Sequence, residues 1–513
     1  LVLIPQSMAY AQLAGLPAYY GLYAAFLPVA VAALWGSSNQ LGTGPVAVVS
    51  LLTASSLAVL AAPGSESFVA LAIMLALLVG IIQLLLGVFK LGVIVNFLSH
   101  PVIVGFTNAA AIIIALSQVS KLFGVPMGRS EHFINDIIGV FKQIGDTHLP
   151  TLAMGVAAIA IMWGIKKYKP KLPGVLIAVA LTTIISYAIG FEKKAKLHYD
   201  EVADPQIVSM LIEYEAAEKE LATVNANALA NEAEAKKLEH QQPRNEPFIL
   251  ALHYQSDLLR SQAKVLEESN GKRLKELRKF RFEREVKPDS KPGALHRVGA
   301  LPAGVNSDGE TWQITKVAKG EIKLAGGGEV VGKIPEGLPS FALPHLDMDK
   351  LGSLLSAALV ISLVGFMEAI SIAKAIAAKT KQRLDPNQEL IAQGLANMAA
   401  PLFGGFAATG AIARTTTNVR TGGRTPIAGI LHALVLLAIV LVAAPLASYV
   451  PLAALSAIVM VVAINMGEWH EFAELRRYSY NYRVILLATF FVTVLFDLTI
   501  AVELGMVLAS LFF

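Results

Sequence analysis

The chain contains no cysteine, so disulfides, thiolate metal sites and cysteine nucleophiles are excluded, while the redox compartment stays open. Charge is also scarce: only 16% of the 513 residues are charged, against 55% hydrophobic. The mean hydropathy is +0.58, which is not the composition of an ordinary soluble domain. The formal net charge of +4 is too small to point to a nucleic-acid partner. Enzyme signatures are missing as well. Gly327, four residues and then Gly332-Lys333 come near a phosphate-binding loop, but Ile334 stands where Ser or Thr is required and Pro335 has no N–H to give. With no metal-ligand spacing and no catalytic-triad pattern, the sequence reads as a non-enzyme without cofactor or metal.

What is present is a series of apolar runs approaching the ~20 residues that cross a bilayer. They fall at 21–35, 68–89, 102–116, 152–165, 175–189, 351–373, 427–444, 453–464 and 484–513. The class is therefore a polytopic membrane protein. Leu1 already lies in an apolar stretch and Phe513 ends another, so both ends read as trimmed and no signal peptide can be judged.

Three regions follow: a membrane half at 1–190, a polar insert at 191–346 and a second membrane half at 347–513. The halves look related. Thr43-Gly44-Pro45-Val46-Ala47 matches Thr409-Gly410-Ala411-Ile412-Ala413, and Gln6-Ser7-Met8-Ala9-Tyr10-Ala11 can be laid on Glu368-Ala369-Ile370-Ser371-Ile372-Ala373. Two matches in the same order suggest an internal repeat. Cations gather in four short loops: Lys166, Lys167, Lys169 and Lys171; Lys379, Lys381 and Arg383; Arg420 and Arg424; Arg476, Arg477 and Arg483. The positive-inside rule puts these loops in the cytoplasm. One crossing separates the first loop from the insert, so the insert is expected outside the cytoplasm and the two halves are expected to be inverted.

Short helices interrupted by glycine at matching places in inverted halves are the sequence pointer to a transport site. Non-helical backbone at membrane depth survives only inside protein or beside water. Residues 39–43 and 406–409 are therefore expected to be extended, leading into short helices at 44–61 and 410–422. The insert reads as two polar helices, 204–240 and 248–285, broken at 241–247. Strands are expected around Thr311–Thr315 and Glu321–Leu324. The insert could dock an extracytoplasmic partner or be a solvated decoration.

Longer blocks carry a family resemblance. Pro17, Tyr20-Gly21-Leu22-Tyr23, Pro28, Gly36-Ser37-Ser38, Gly44-Pro45, Pro101 and Gly105-Phe106-Thr107 are followed by Asn387-Gln388-Glu389-Leu390 and Gln393-Gly394-Leu395-Ala396-Asn397. With these blocks the chain resembles the SulP (sulfate permease) family, outside the insert and along nearly its whole length. The resemblance implies an all-α polytopic fold of fourteen helices in two inverted seven-helix repeats, the UraA/SulP-like arrangement. Core and gate domains, short strands before half-helices three and ten, a homodimer and an elevator motion go with it. Family members usually carry a cytoplasmic STAS domain after the last helix, and the long insert departs from the family pattern.

The candidate site follows from helix ends. A helix N-terminus offers free N–H donors and about half a positive charge, so two facing ones at Gly44, Pro45, Val46 and at Thr409, Gly410, Ala411 would cradle an anion. The bland reading is that the glycines only allow close packing. Arg414, one turn into the second short helix, would add a fixed charge, and the resemblance extends to it, since prestin-like sequences also carry arginine at that motif position; alternatively it pairs structurally with Glu368. Glu368 is the candidate coupling group. Two helix ends and Arg414 sum to about +2; an ionised Glu368 leaves about +1, suited to a monoanion, and a protonated one leaves the site suited to a dianion. Gln6, the repeat mate of Glu368, resembles the family's first-helix glutamine. Tyr10 and Ser371 share faces with these two residues. Asp497 and Glu503 read as helix-end caps or interface pairs, and His100 as structural.

The expected function is secondary active transport of inorganic anions across the plasma (inner) membrane, with proton-coupled sulfate symport first. A sodium-coupled bicarbonate symporter, with Glu368 and Ser371 as sodium ligands, is the rival. A passive anion channel or sensor of the same fold is the third.

Overall fold

The structure, a computed structural model, describes residues 3–93, 100–125, 127, 133–241, 246–286, 292–302, 304–335, 337, 339, 341, 348–496 and 498–511. Asp497 therefore lies outside the described residues. Two compact units emerge: Leu1–Ile189 with Val330–Phe513, and Gly190–Glu329.

The first unit is helical. Among the described residues, four helices are long and apolar enough to cross a membrane, Glu66–Val88, His100–Phe123, Leu149–Tyr168 and Lys350–Thr380, and six shorter apolar helices accompany them. The apolar run at 21–35 falls on two helical segments, Tyr19–Tyr23 and Leu27–Trp35. Pro28 explains the break, since proline suits the first turn of a helix and not its interior. The final apolar run also divides, into Tyr480–Leu495 and Leu498–Leu511.

Small residues set the packing. A side chain on Gly80 would come within 2.6 Å of the Met398 amide, and one on Gly394 within 2.5 Å of the Leu84 amide. The helices Glu66–Val88 and Pro386–Ala399 therefore touch backbone to backbone, the contact that small residues permit between membrane helices. Leu27–Trp35 packs on the same Pro386–Ala399 helix.

The second unit joins a helical hairpin, Pro205–Gln241 and Glu246–Leu277, to a six-stranded sheet. Glu192–His198 pairs with Glu321–Gly327, which pairs with Trp312–Ala318; Phe282–Val286 and Pro292–Arg297 follow, with Asn306–Ser307 beside Phe282–Val286. The second helix stops at Leu277, short of the expected 285. The stretch from Arg281 to Glu285 has helix-forming charges, but Phe282 is fully buried in the sheet core with Leu295 and Ile322, and that burial overrides a weak local preference. Glu192–His198 is a strand that the sequence reading did not foresee. Its lysines alternate with Ala195 and the buried Leu197.

Candidate functional site

The two matched motifs lie against one another. Thr43–Gly44 and Thr409–Gly410 form an antiparallel two-stranded ladder in which Thr43 faces Gly410 and Gly44 faces Thr409. The Ala411 amide extends it by donating to the Gly42 carbonyl at 2.9 Å. Each strand then enters a short helix, Ala47–Ala58 or Ile412–Arg420. The expected starts at 44 and 410 are corrected by two or three residues, because Gly44 and Gly410 belong to the strands. Antiparallel pairing over only two residues keeps both helix N-termini at one junction. Their cap positions are Val46 and Ala411, whose side chains make no capping bond. Ser, Thr, Asp or Asn would normally satisfy the first-turn amides there.

Close approach explains the glycines. At φ +148°, Gly44 lies against Arg414, whose Nη1 a Cβ would meet at 2.0 Å. A Cβ on Gly410 would sit 3.0 Å from Ala369 Cα, so this strand runs directly on the helix Met348–Thr380.

Arg414 reaches back across the ladder. Its Nη1 donates to the Thr43 carbonyl at 2.9 Å, and its Nη2 donates to the Pro45 carbonyl. Among the described residues it makes no ion pair with Glu368, which corrects the alternative that the two form a structural pair. The arginine instead neutralises carbonyls at the entry to the other short helix, and its charge stays beside both N-termini.

Gln6 and Tyr10 are buried on the helix Leu3–Leu13, and Gln6 Nε2 donates to Tyr10 Oη at 2.9 Å. Tyr10, Glu368 and Arg414 lie within electrostatic reach of one another. The Glu368 Oε2 is buried without a hydrogen-bond partner. Thr409 is committed elsewhere, its Oγ1 donating to the Gly365 carbonyl, so its hydroxyl anchors the strand. Ser371, one turn beyond Glu368, is exposed. The structure thus gathers Gln6, Tyr10, Glu368, Arg414 and the two crossing segments, and leaves Ser371 at an exposed position. Glu503 Oε1 accepts from Ser356 Oγ at 2.8 Å, and His100 Nδ1 lies 2.7 Å from Tyr482 Oη.

Several partners of the crossing segments carry no role in the sequence reading. Asn39 N–H donates to Gln382 Oε1 at 3.1 Å, Gln40 O accepts from Asn418 Nδ2 at 3.1 Å, and Gly42 N–H donates to Thr415 Oγ1 at 2.9 Å. Three more come from one helix: Glu389, Gln393 and Asn397. These side chains meet the demand that backbone outside regular structure be satisfied within protein at membrane depth. The signal was a four-residue spacing of polar side chains on one helical face, which family-like motifs hide because they read only as resemblance.

Residues 1–228 and 312–489 match the Sulfate permease family. YvdB of Bacillus subtilis (strain 168) is 29% identical over 100% of this chain and 71% of its own length. Sulfate transporter 4.1, chloroplastic, of Arabidopsis thaliana is 28% identical over 98% of this chain and 55% of its own length. The chain thus spans little more than half of some curated relatives. Among solved structures, SLC26A9 aligns over 99% of this chain and 63% of its own with a TM-score of 0.68 at 19% identity. The transmembrane domain of the cyanobacterium bicarbonate transporter BicA aligns over 99% of this chain and 94% of its own with a TM-score of 0.61 at 20% identity. These likenesses establish the fold.

Proposed function

Since the chain belongs to the sulfate permease family, we propose that it is a secondary active transporter of inorganic anions, taking up sulfate with protons across the plasma membrane. One observation carries this reading: a two-residue antiparallel ladder holds two uncapped helix N-termini at one junction, beside the Arg414 guanidinium. Two helix ends contribute about one positive charge and Arg414 another. Free amides aimed at a common point take an oxyanion without a dedicated side chain. Glu368, half-buried with an unpartnered oxygen, is the group that adjusts this charge. When it is protonated the site suits a dianion, and its deprotonation on the far side would favour release.

The same proposal includes the fourteen-helix inverted repeat, a homodimer, and an elevator motion of a core holding both short helices against a gate. The insert would face the extracytoplasmic side, where it could meet a partner; uptake after deletion of 192–330 tests whether transport needs it.

Bicarbonate with sodium is the second reading, favoured by the likeness to the membrane domain of a bicarbonate transporter over 94% of that chain. Glu368 and Ser371 would then hold sodium, with Arg414 unfavourably near. A passive channel or sensor is the third, since prestin of Danio rerio is 26% identical over 99% of this chain. Uptake of labelled sulfate and bicarbonate into proteoliposomes, under pH and sodium gradients imposed separately, decides among them. Sulfate accumulation driven by a pH gradient supports the first reading. Accumulation of bicarbonate driven only by sodium overturns it, and so does flux of either anion without accumulation.

A further inference from the structure

Glu389, Gln393 and Asn397 are 1%, 0% and 0% exposed, and they stand four residues apart along the helix Pro386–Ala399. Each holds a different piece of the crossing. Glu389 Oε2 accepts from the Ser37 N–H and hydroxyl, both at 3.1 Å, and from the Ser38 N–H at 3.3 Å. Gln393 Nε2 donates to Thr43 Oγ1 at 3.0 Å. Asn397 pairs with the Ala408 peptide in both directions: Nδ2 donates to Ala408 O at 2.9 Å, and Oδ1 accepts from Ala408 N at 2.7 Å. Its amide imitates a strand partner on the chain just before the second ladder strand.

One helix therefore holds both segments that the two-residue ladder holds only weakly, since so short a pairing is marginal by itself. The helix is in turn fixed by backbone contact through Gly80 and Gly394. A side-chain chain continues the frame, with Asn397 Nδ2 donating to Gln83 Oε1 at 2.9 Å and Gln83 Nε2 to Ser362 O at 3.2 Å.

We propose that Glu389, Gln393 and Asn397 are positioning residues that set the separation of the two helix N-termini, and through it which oxyanion fits between them. The inference rests on the anion-transport reading above and concerns its selectivity. Hydrogen bonds keep to a narrow range of distance and weaken steeply as their angle closes, and a site is only as exact as the shell that supports it. A shift of a few tenths of an ångström between the amide clusters would alter their fit to tetrahedral sulfate and planar bicarbonate by different amounts. Charge on Glu389 is secondary here. Gln393 Nε2 also donates to Glu389 Oε1 at 3.4 Å, so an amide at 389 keeps an acceptor for Ser37 and Ser38, and its NH2 is accommodated when the Gln393 amide turns to present the Oε1 that is buried without a partner.

The test uses the full chain in proteoliposomes, with initial rates of labelled sulfate uptake, competition by bicarbonate, and detergent melting temperatures. Asn397→Ala, Gln393→Ala and Glu389→Ala should each raise the sulfate KM about tenfold, equivalent to ~1.4 kcal/mol of binding, with a smaller change in Vmax. Each should also shift the sulfate-to-bicarbonate preference at least threefold. Glu389→Gln should restore most of both. Thr182→Ala, which removes an equally buried hydroxyl bonded to the Ala178 carbonyl within the helix Gly174–Ile189, should lower the melting temperature and leave the preference alone. If the alanine variants do not assemble, Asn397→Asp takes their place. It keeps the acceptor for Ala408 N–H and loses the donor, and it should give an intermediate shift. Lower melting temperatures with wild-type KM and preference overturn the inference while leaving anion transport standing. No uptake of either anion by the wild-type protein overturns both.

Discussion

Arg414 Nη1 lies 2.9 Å from the Thr43 carbonyl oxygen, so an arginine of the second membrane half is bound to main chain of the first. Its Nη2 holds Pro45 in the same half. The residue that adds positive charge to the junction also ties the two crossing segments together. Arg414→Gln should lower sulfate affinity at least tenfold, measured as KM in proteoliposomes. Arg414→Lys keeps the charge but cannot span two carbonyls from a planar fork, and should fall between the wild type and Arg414→Gln in both KM and melting temperature.

Glu368→Gln tests coupling. If protonation of Glu368 suits the site to a dianion, wild-type sulfate uptake rises as the outside pH falls, and the variant loses this dependence. Uptake of the variant that still tracks pH as the wild type does would remove Glu368 from the coupling step.

Gly44→Ala should abolish transport, because the new Cβ would lie 2.0 Å from Arg414 Nη1 and drive the guanidinium off the Thr43 carbonyl. Gly64→Ala is the matched control, with φ +78° and nothing within 4 Å of the added Cβ. It should cost roughly 1–2 kcal/mol of backbone strain and leave the sulfate KM unchanged. Uptake assays beside detergent melting curves separate the two effects.

In the insert, the Tyr199 hydroxyl donates to Glu215 Oε2 at 2.7 Å, and Gly320 N–H donates to the same oxygen at 3.0 Å. The Tyr199 bond leads in holding this carboxyl below its ordinary 4.5. A carboxyl lowered by folding stabilises the fold above the ordinary value, and that contribution is lost as pH falls through the lower folded value. Protection of the amides across 319–327, their exchange compared with the intrinsic rate at each pH, should therefore fall below about pH 4.5. Glu215→Gln should lower that protection at neutral pH and flatten its acid dependence.

The class, the family and the neighbourhood of the candidate site were legible in the residues alone. Apolar run length is a local property that a bilayer translates directly into crossings, and a glycine before an uncapped helix start is visible at Gly44 and again near Gly410. Charge distribution nominated Glu368 and Arg414 for the same reason: an ionisable side chain in an apolar run is costly wherever it ends up. What Arg414 grips was decided only by the tertiary structure. The choice between Glu368 and the carbonyls of Thr43 and Pro45 depends on how two strands about 370 residues apart in the chain cross, and no local pattern encodes that crossing. The same holds for Thr409, spent on the Gly365 carbonyl, and for Asn397, whose partner Ala408 becomes recognisable only once the chain has turned back on itself. Phe282 shows the converse in the insert, where burial against a sheet turned a helix-like stretch into a strand. Spacing along the chain reports which faces are polar; which oxygen meets which amide is set by packing between distant segments.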